Sequence, residues 1–159
     1  SVVPAFLDQI KEKQKILLTN KKMTRFNISL EQGVNFVIMA LQKMTGGETF
    51  IPNMDTIEII DLIKILKPKY GFSEVGIKPG EKIHEELISS SDNSIKIDCQ
   101  NYFIVCPSTL MVNDKKIKEY IKKNKGKIIN ENFSYNSGSL KRRLQIPSIK
   151  KLIQDHYQK

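Results

Sequence analysis

The sequence has no tryptophan, only two cysteines, and no apolar run long enough to cross a membrane. Cys99 and Cys106 lie seven positions apart in an apolar segment. That is not the spacing of a metal site, so we expect no bound metal and two buried free thiols. Free thiols are typical of a reducing compartment, and no signal peptide is present. These absences favour a cytoplasmic protein that does not enter the membrane.

Arginine is also scarce, although the net charge is +9 from 26 basic and 17 acidic residues. It occurs only at positions 25, 142 and 143, and the remaining basic residues are lysines, with clusters over 11–15, 115–127 and 141–151. Arginine is the better bidentate ligand for phosphates and base edges. No aromatic platform accompanies the lysines. The composition therefore argues against nucleic-acid binding, which stays only as an alternative.

The motifs of a self-sufficient redox enzyme are missing. There is no Gly-x-Gly-x-x-Gly loop for a dinucleotide and no phosphate-binding P-loop. None of the five tyrosines has a lysine four residues later, and His84 and His156 are far apart in the sequence. We therefore predict no catalytic residue in this chain.

Apolar spacing predicts alternating helices and strands through the first half. A capping box of Ser29 and Gln32 begins the second helix, and a cap pair of Asp55 and Glu58 begins the third. We expect the second helix to bury Val34, Val37, Ile38, Leu41 and Met44. The other predicted elements are a helix over 1–15, strands over 16–18, 25–28, 49–52 and 74–77, and the third helix carrying Ile59 to Leu66.

The second half is less regular. Its predicted elements are a polar loop over 89–94, strands over 95–97 and 102–105 that suit a hairpin, a Lys-rich helix over 114–124, a polar loop over 130–140, and a helix with Pro147 in its first turn. The order of elements predicts an α/β fold with short parallel or mixed strands. We predict one substrate-binding segment over 1–88 and a C-terminal extension over 89–159 packed on the same unit.

Two features could bind a phosphorylated ligand. Arg25 lies at the start of a predicted strand, and its planar fork could hold two phosphate oxygens or pair with a surface carboxylate. The turn Lys78-Pro79-Gly80-Glu81 brings a cation and a carboxylate together, although it could equally be an ordinary solvated turn. We expect Glu85 and Glu86 to be charges on a helix face, and His84 to be a partly buried helix residue.

Four segments occur in a fixed order: Ser1-Val2-Val3-Pro4-x-Phe6, Met23-Thr24-Arg25-Phe26, Gly46-Gly47-Glu48-Thr49-Phe50-Ile51-Pro52, and Gly76-Ile77-Lys78-Pro79-Gly80-Glu81-Lys82-Ile83-His84-Glu85. Together they resemble the C-terminal portion of the UDP-N-acetylglucosamine 4,6-dehydratases, which belong to the extended short-chain dehydrogenase/reductase superfamily with its Rossmann-type fold. The tail, with Asn132-Phe133-Ser134-Tyr135-Asn136-Ser137 and Leu144, is similar to the inverting branch used for pseudaminic acid and capsule sugars.

The resemblance implies a set of substrate contacts. Val2 would approach the sugar nucleotide, and Arg25 would bind its diphosphate. Lys78 stands where the family usually has arginine and would meet the same phosphates without bidentate geometry. Glu81 would bind the uridine ribose, and Thr19 would be a weaker substrate contact. The implied substrate is UDP-GlcNAc or a related UDP-sugar.

The resemblance further implies a cofactor, NADP or NAD, held by an N-terminal half upstream of Ser1, on the same or a separate chain. That half would also supply the catalytic residues. The implied reaction oxidises the sugar at C4, eliminates water across C5–C6 and returns hydride to C6. A rear half alone would expose a sheet edge and an apolar face, so we expect a homo-oligomer or a bound front half.

Two other hypotheses remain at this point. The chain could be a nucleotide-sugar-binding module without catalysis, in which case UDP should stabilise the isolated chain. It could instead be a basic domain that binds nucleic acid or an acidic polymer, in which case its affinity should fall steeply with salt.

Overall fold

The computed structural model describes residues 2–107, 114–139 and 142–157. In chain order its elements are α1 (Val2–Lys11), β1 (Ile16–Leu18), β2 (Thr24–Asn27), α2 (Leu30–Lys43), β3 (Thr49–Pro52), β4 (Asp55–Glu58), α3 (Ile59–Leu66), β5 (Phe72–Glu74), β6 (Glu86–Ile88), β7 (Lys96–Asp98), β8 (Tyr102–Val105), α4 (Asp114–Asn124), β9 (Lys127–Ile128), β10 (Tyr135–Asn136) and α5 (Ile146–Tyr157).

The chain divides into two compact units, each assembled from segments distant in sequence. Unit 1 contains Ser1–Asn27, Asp55–Glu85 and Ser137–Lys159, and unit 2 contains Ile28–Met54 and Glu86–Asn136. The assignment of substrate binding to 1–88, with 89–159 as an extension, concerns function and stays a prediction.

Unit 1 is built on two strand pairs covered by helices. Strands β1 and β5 pair in parallel, and β2 and β4 pair antiparallel. Helix α3 supplies Ile59, Leu62 and Ile63 to the core, because its apolar residues recur at helical spacing. The other buried members of this core are Phe6, Ile16, Leu18, Met23, Ile57, Ile149 and Ile153.

Unit 2 contains an antiparallel sheet in the strand order β3-β8-β7-β9, and a separate antiparallel pair of β6 with β10. The hairpin predicted at 95–97 and 102–105 is confirmed as β7 and β8, and the predicted helix over 114–124 is confirmed as α4. The buried core members are Ile97, Cys99, Tyr102, Ile104, Cys106 and Tyr120.

The expected buried stripe of α2 is wrong. Its capping box is present, since Gln32 N donates to Ser29 Oγ at 3.1 Å and Ser29 N donates to Gln32 Oε1 at 2.9 Å. The side chains expected to be buried are exposed instead, by 43% to 64%: Val34, Val37, Ile38, Leu41 and Met44. The helix has a second apolar stripe, and its Phe36 and Met39 pack on the core of unit 2.

The predicted cap pair of Asp55 and Glu58 is also wrong. These residues bound β4, which pairs with β2, and the helix begins only at Ile59. Glu58 is the N-cap residue, but its side chain makes no cap hydrogen bond and pairs with Arg143 instead. Tertiary strand pairing has overridden a local cap signature.

Smaller differences lie at element ends. Helix α1 ends at Lys11, earlier than expected, and Lys13 has φ +59°. Strand β5 occupies Phe72–Glu74, because Gly76 at φ +85° takes the chain out of the extended conformation.

The prediction of buried free thiols is confirmed for Cys99 and Cys106. Burial raises the pKa of Cys106 to about 11 and also raises the pKa of Cys99. No helix among the described residues is long and apolar enough to cross a membrane.

Candidate functional site

The parallel strands of unit 1 end at one edge of their sheet, and two predicted site segments leave from it. Thr19 follows β1 directly, and Val75 continues the β5 ladder by donating its N–H to Leu18 O at 2.9 Å. Lys21 N donates to Glu74 Oε1 at 3.1 Å and so ties the loop after β1 to the end of β5. Ligands of α/β proteins bind outside the carboxyl ends of parallel strands. This edge is therefore the candidate site.

The segment after β5 contains the predicted turn. Glu81 N donates to Lys78 O at 3.0 Å, with Pro79 and then Gly80 at φ +83° between them, which is a type II turn. The Glu81 carboxylate folds back and accepts from Lys78 N through Oε2 at 3.2 Å. Both residues are exposed. Within the described part of the chain, neither Lys78 Nζ nor Glu81 Oε1 makes a hydrogen bond, so both are available to a ligand.

A few residues later the same loop is fixed by its backbone to β2 and to the tail. Thr24 N donates to Ile83 O at 3.0 Å, and Ser137 N donates to Glu85 O at 2.8 Å. Glu85 N donates to Ser137 Oγ at 2.9 Å, and its carboxylate accepts from Phe26 N at 2.9 Å. The loop thus has one exposed turn and one anchored end.

Buried hydroxyl groups lie beneath this anchored end. Thr24 and Ser137 are 3% and 0% exposed, and their hydroxyl oxygens are 2.7 Å apart. Thr24 Oγ1 also lies 2.8 Å from His84 Nδ1, and Ser137 Oγ donates to Thr24 O at 3.2 Å. A Cβ on Gly138 would come within 2.5 Å of the His84 ring, so only glycine fits there without displacing the ring. Because buried polar groups are costly unless paired, this network fixes the loop firmly.

The guanidinium of Arg25 is largely used within the protein. Its NH1 donates to Thr24 O at 2.7 Å and to Ile83 O at 3.2 Å, and NH2 approaches Met23 Sδ at 3.6 Å. Nε lies 3.6 Å from Glu85 Oε1, and the side chain is 26% exposed. Of the two interactions considered from the sequence, the structure contains the pairing with a carboxylate.

The expectations for His84, Glu85 and Glu86 are wrong, because no helix forms there. His84 and Glu85 lie in the loop, and Glu86 begins β6. Sequence reasoning therefore missed His84, Glu85, Thr24 and Ser137 as parts of the site. All four lie inside the motifs that carried the family resemblance, which was the available signal.

The structure brings the predicted substrate contacts together only in part. Lys78 and Glu81 share the turn, and Arg25 contacts the anchored end of the same loop. Thr19 is partly buried at the same sheet edge. Val2 begins α1 and packs on the core of unit 1. In the described ranges, no cluster of three or more His, Cys, Asp or Glu side chains could hold a metal ion.

Residues 1–107 match the family described as "polysaccharide biosynthesis protein". The chain belongs to this family. It is 41% identical over 139 residues to the UDP-N-acetylglucosamine 4,6-dehydratase (inverting) of Campylobacter jejuni, and 34% identical over 107 residues to the UDP-glucose 4-epimerase of Rickettsia canadensis. Among solved structures, Pen from Bacillus thuringiensis superposes with a TM-score of 0.74 at 29% identity over 98% of this chain.

These comparisons confirm the resemblance based on motifs and the α/β fold. Each match covers only part of the relative's own length. The matches cover 86% of this chain and 42% of the Campylobacter enzyme, 65% of this chain and 31% of the epimerase, and 98% of this chain and 45% of Pen. The chain thus spans less than half the length of these relatives.

Proposed function

We propose that this chain is the UDP-sugar-binding part of a nucleotide-sugar 4,6-dehydratase. The observation that carries the proposal is the exposed Lys78–Glu81 turn, which follows β5 of the parallel pair β1–β5, while Thr19 follows β1 of the same pair. A free ammonium suits a diphosphate, and a carboxylate oxygen suits the hydroxyls of a ribose. Arg25 belongs to the same site, and Val2 would complete it from α1.

The substrate and reaction follow from the relatives. The Campylobacter relative is an inverting UDP-N-acetylglucosamine 4,6-dehydratase, so we propose UDP-GlcNAc as substrate and a 4-keto-6-deoxy sugar, with inversion at C5, as product. The likeness to the polysaccharide biosynthesis family supports a role in surface glycan synthesis. We further propose pseudaminic acid as the sugar that this synthesis supplies. This chain would bind and orient the substrate, which lowers the entropic part of the barrier.

The cofactor, NADP or NAD, supplies the redox chemistry, and we assign its binding to an N-terminal half outside this sequence. The sequence lacks the glycine-rich loop that a dinucleotide pyrophosphate needs at a helix N-terminus. We also assign the catalytic acid and base to that half, because none of the five tyrosines here has a lysine four residues later. Buried free thiols support a cytoplasmic location.

The apolar face of α2 supports a further protein partner. Its exposed side chains include Leu30 at 83% and Leu41 at 64%. A contiguous apolar surface of this kind marks a protein interface in soluble proteins. We propose that the N-terminal half or a second copy of the chain covers it.

The test is a chimera in which this chain replaces the matched 42% of the Campylobacter enzyme. We expect the chimera to dehydrate UDP-GlcNAc. Lys78→Ala and Glu81→Ala should each raise KM about tenfold, since each removes a charge-assisted contact. Lys118→Ala on α4 and Glu12→Ala after α1 are matched controls that should leave KM unchanged.

The outcomes separate the hypotheses. Unchanged KM in both site variants would show that the site is assigned wrongly. A folded chimera that binds UDP without turnover would favour a non-catalytic nucleotide-sugar-binding module. Steeply salt-dependent binding of nucleic acid, without UDP binding, would favour the basic-domain alternative.

A further inference from the structure

A basic surface lies at the amino end of the parallel strands of unit 1, opposite to the candidate site. The segments that precede β1 and β5 meet there, because Ile16 at the start of β1 donates its N–H to Gly71 O at 3.1 Å. We call residues 9–15 and 67–71 the basic edge. They contain five lysines and a single carboxylate, that of Glu12. All five lysines are exposed: Lys11, Lys13, Lys15, Lys67 and Lys69.

Both segments of the basic edge have a fixed backbone. Lys13 closes α1 in the left-handed conformation, at φ +59°. In the second segment, Gly71 N donates to Pro68 O at 3.0 Å, so Lys69 and Tyr70 occupy the corner of a tight turn. The lysines therefore project from a defined surface of unit 1.

An open cavity of about 340 Å³ lies between the two segments. Tyr70 at its margin is 41% exposed, and Lys69 Nζ lies 5.7 Å from the centre of the Tyr70 ring. The cavity thus combines positive charge with an accessible apolar lining. Apart from one glutamine, its lining residues are apolar, aromatic or basic: Ile10, Pro68, Tyr70, Lys11, Lys13 and Lys69.

We propose that the basic edge binds the surface of a membrane that contains anionic phospholipids. Clustered lysines are attracted to phosphate headgroups, and the amphipathic ring of Tyr70 suits the headgroup layer. Among the described residues, only one of the five lysines has an ion pair, in which Lys11 Nζ lies 3.8 Å from Asp8 Oδ1. The other four ammonium groups make no ion pair there, so they are available to headgroups.

The absence of arginine from the basic edge favours lipid over the other anionic partners. Protein interfaces are enriched in arginine and depleted in lysine. Nucleic-acid sites also favour arginine where bases or phosphates are held by two hydrogen bonds. A lipid surface needs only positive charge close to its headgroups, because the lipids themselves move to meet it. Since the candidate site lies at the other end of the same strands, a chain bound in this way leaves that site open to water.

Helix ends offer another explanation for some of these lysines, since a positive charge stabilises the last turn of a helix. Lys125 provides the comparison. It follows α4 in the same left-handed conformation, at φ +51°, and lies outside the basic edge. Glycine suits such positions. Lys13→Gly and Lys125→Gly therefore remove the same charge from the same kind of helix end, and only the first change alters the basic edge.

The experiment measures co-sedimentation of this chain with vesicles of phosphatidylcholine, alone or with about 30% phosphatidylglycerol. We expect binding to the anionic vesicles only, at about 0.1 M salt, and its loss at about 1 M salt. Lys13→Gly should weaken binding about fivefold and Lys13→Gly/Lys69→Ala about 25-fold, whereas Lys125→Gly should change it less than about twofold.

A tyrosine pair tests the apolar part of the surface. Tyr70→Ser should also weaken vesicle binding, because it removes the aromatic ring from the cavity. Tyr157→Ser is the matched control, since Tyr157 ends α5 and is 44% exposed. Equal vesicle binding by Tyr70→Ser and the wild type would contradict a contact between this cavity and the headgroup layer.

Folding and ligand binding are measured separately. Lys13→Gly should keep or raise the midpoint of thermal unfolding, so weaker vesicle binding cannot come from unfolding. Equal losses of binding in Lys13→Gly and Lys125→Gly would overturn the proposal, because net charge alone would then explain the attraction. Binding to polyglutamate or duplex DNA, without binding to anionic vesicles, would overturn it in favour of an acidic protein or a nucleic acid. The proposal is independent of the proposed function: a chain that binds vesicles but not UDP would contradict only the latter.

Discussion

The two units depart from the ordinary distribution of polar and apolar side chains in opposite ways. Unit 1 buries the hydroxyls of Thr24 and Ser137 at 3% and 0% exposure, whereas unit 2 exposes Leu30 and Leu41 on α2 at 83% and 64%. The buried hydroxyls are all paired, so they make the candidate site rigid. The exposed leucines have no comparable compensation within unit 2. The first pattern agrees with the proposed ligand site, and the second agrees with the proposed protein interface.

The largest expected effect comes from adding one methyl group in each unit. In Gly126→Ala, the new Cβ would lie 2.4 Å from Ile97 Cγ2 and 3.3 Å from Asp98 O. Ile97 is fully buried, so we expect a loss of about 1–3 kcal/mol in the free energy of unfolding. In Gly138→Ala, the exposed ring of His84 can swing outward, and we expect a smaller loss of about 1 kcal/mol.

The two glycine variants should differ in UDP affinity. Denaturant unfolding measures the stability of each variant, and UDP titration measures its affinity. Gly138→Ala should weaken UDP binding, because His84 leaves Thr24 and loosens the loop, whereas Gly126→Ala should not. Gly33→Ala is the control, since its Cβ would meet nothing within 4 Å and alanine favours a helix. Equal UDP affinity in the Gly138 variant and the wild type would show that the buried polar contacts around Thr24 do not affect UDP binding.

An intermediate effect on stability is expected at Glu48 of unit 2. Its carboxylate accepts hydrogen bonds from backbone N–H groups, as the carboxylate of Glu85 does in unit 1. Burial alone would raise its pKa, but hydrogen bonds from Thr45 and from backbone N–H groups lower it to about 2. The buried Tyr120 hydroxyl acts in the same direction, although it has no hydrogen bond of good geometry among the described residues.

A lowered pKa fixes the direction of the pH dependence. The folded state prefers the ionised carboxylate, so its stabilisation is complete above the ordinary value near 4.5 and is lost as the pH falls towards 2. Glu48→Gln should flatten this part of a thermal unfolding profile, while Glu31→Gln in the exposed first turn of α2 should leave it unchanged. An identical acid limb in Glu48→Gln and the wild type would contradict the assignment.

The sequence predicted local features correctly where no tertiary strand pairing overrode them, as it did at Asp55 and Glu58. Ser29 and Gln32 are three positions apart, and their capping box forms as expected. The sequence could not show which of the two apolar stripes of α2 is buried, because periodicity predicts an amphipathic helix without indicating which stripe packs on the core. The network of the site joins Thr24 to residues 60 and 113 positions away. Only the order of the motifs indicated these contacts. Nothing in the residues around Arg25 distinguishes an arginine that hydrogen-bonds within the protein from one that is solvated.

The smallest effect on stability is expected on the exposed face of α2. The combined change Leu30→Gln, Val37→Gln and Leu41→Gln replaces side chains that are 57% to 83% exposed, so the free energy of unfolding should change by only about 0.5 kcal/mol or less per site. Met39→Gln, which alters the stripe facing the core, should cost more. Sedimentation over a range of concentrations should then show less self-association for the triple variant than for the wild type. If both sediment identically as monomers, the face does not pair with a second copy, and the N-terminal half remains as its proposed partner.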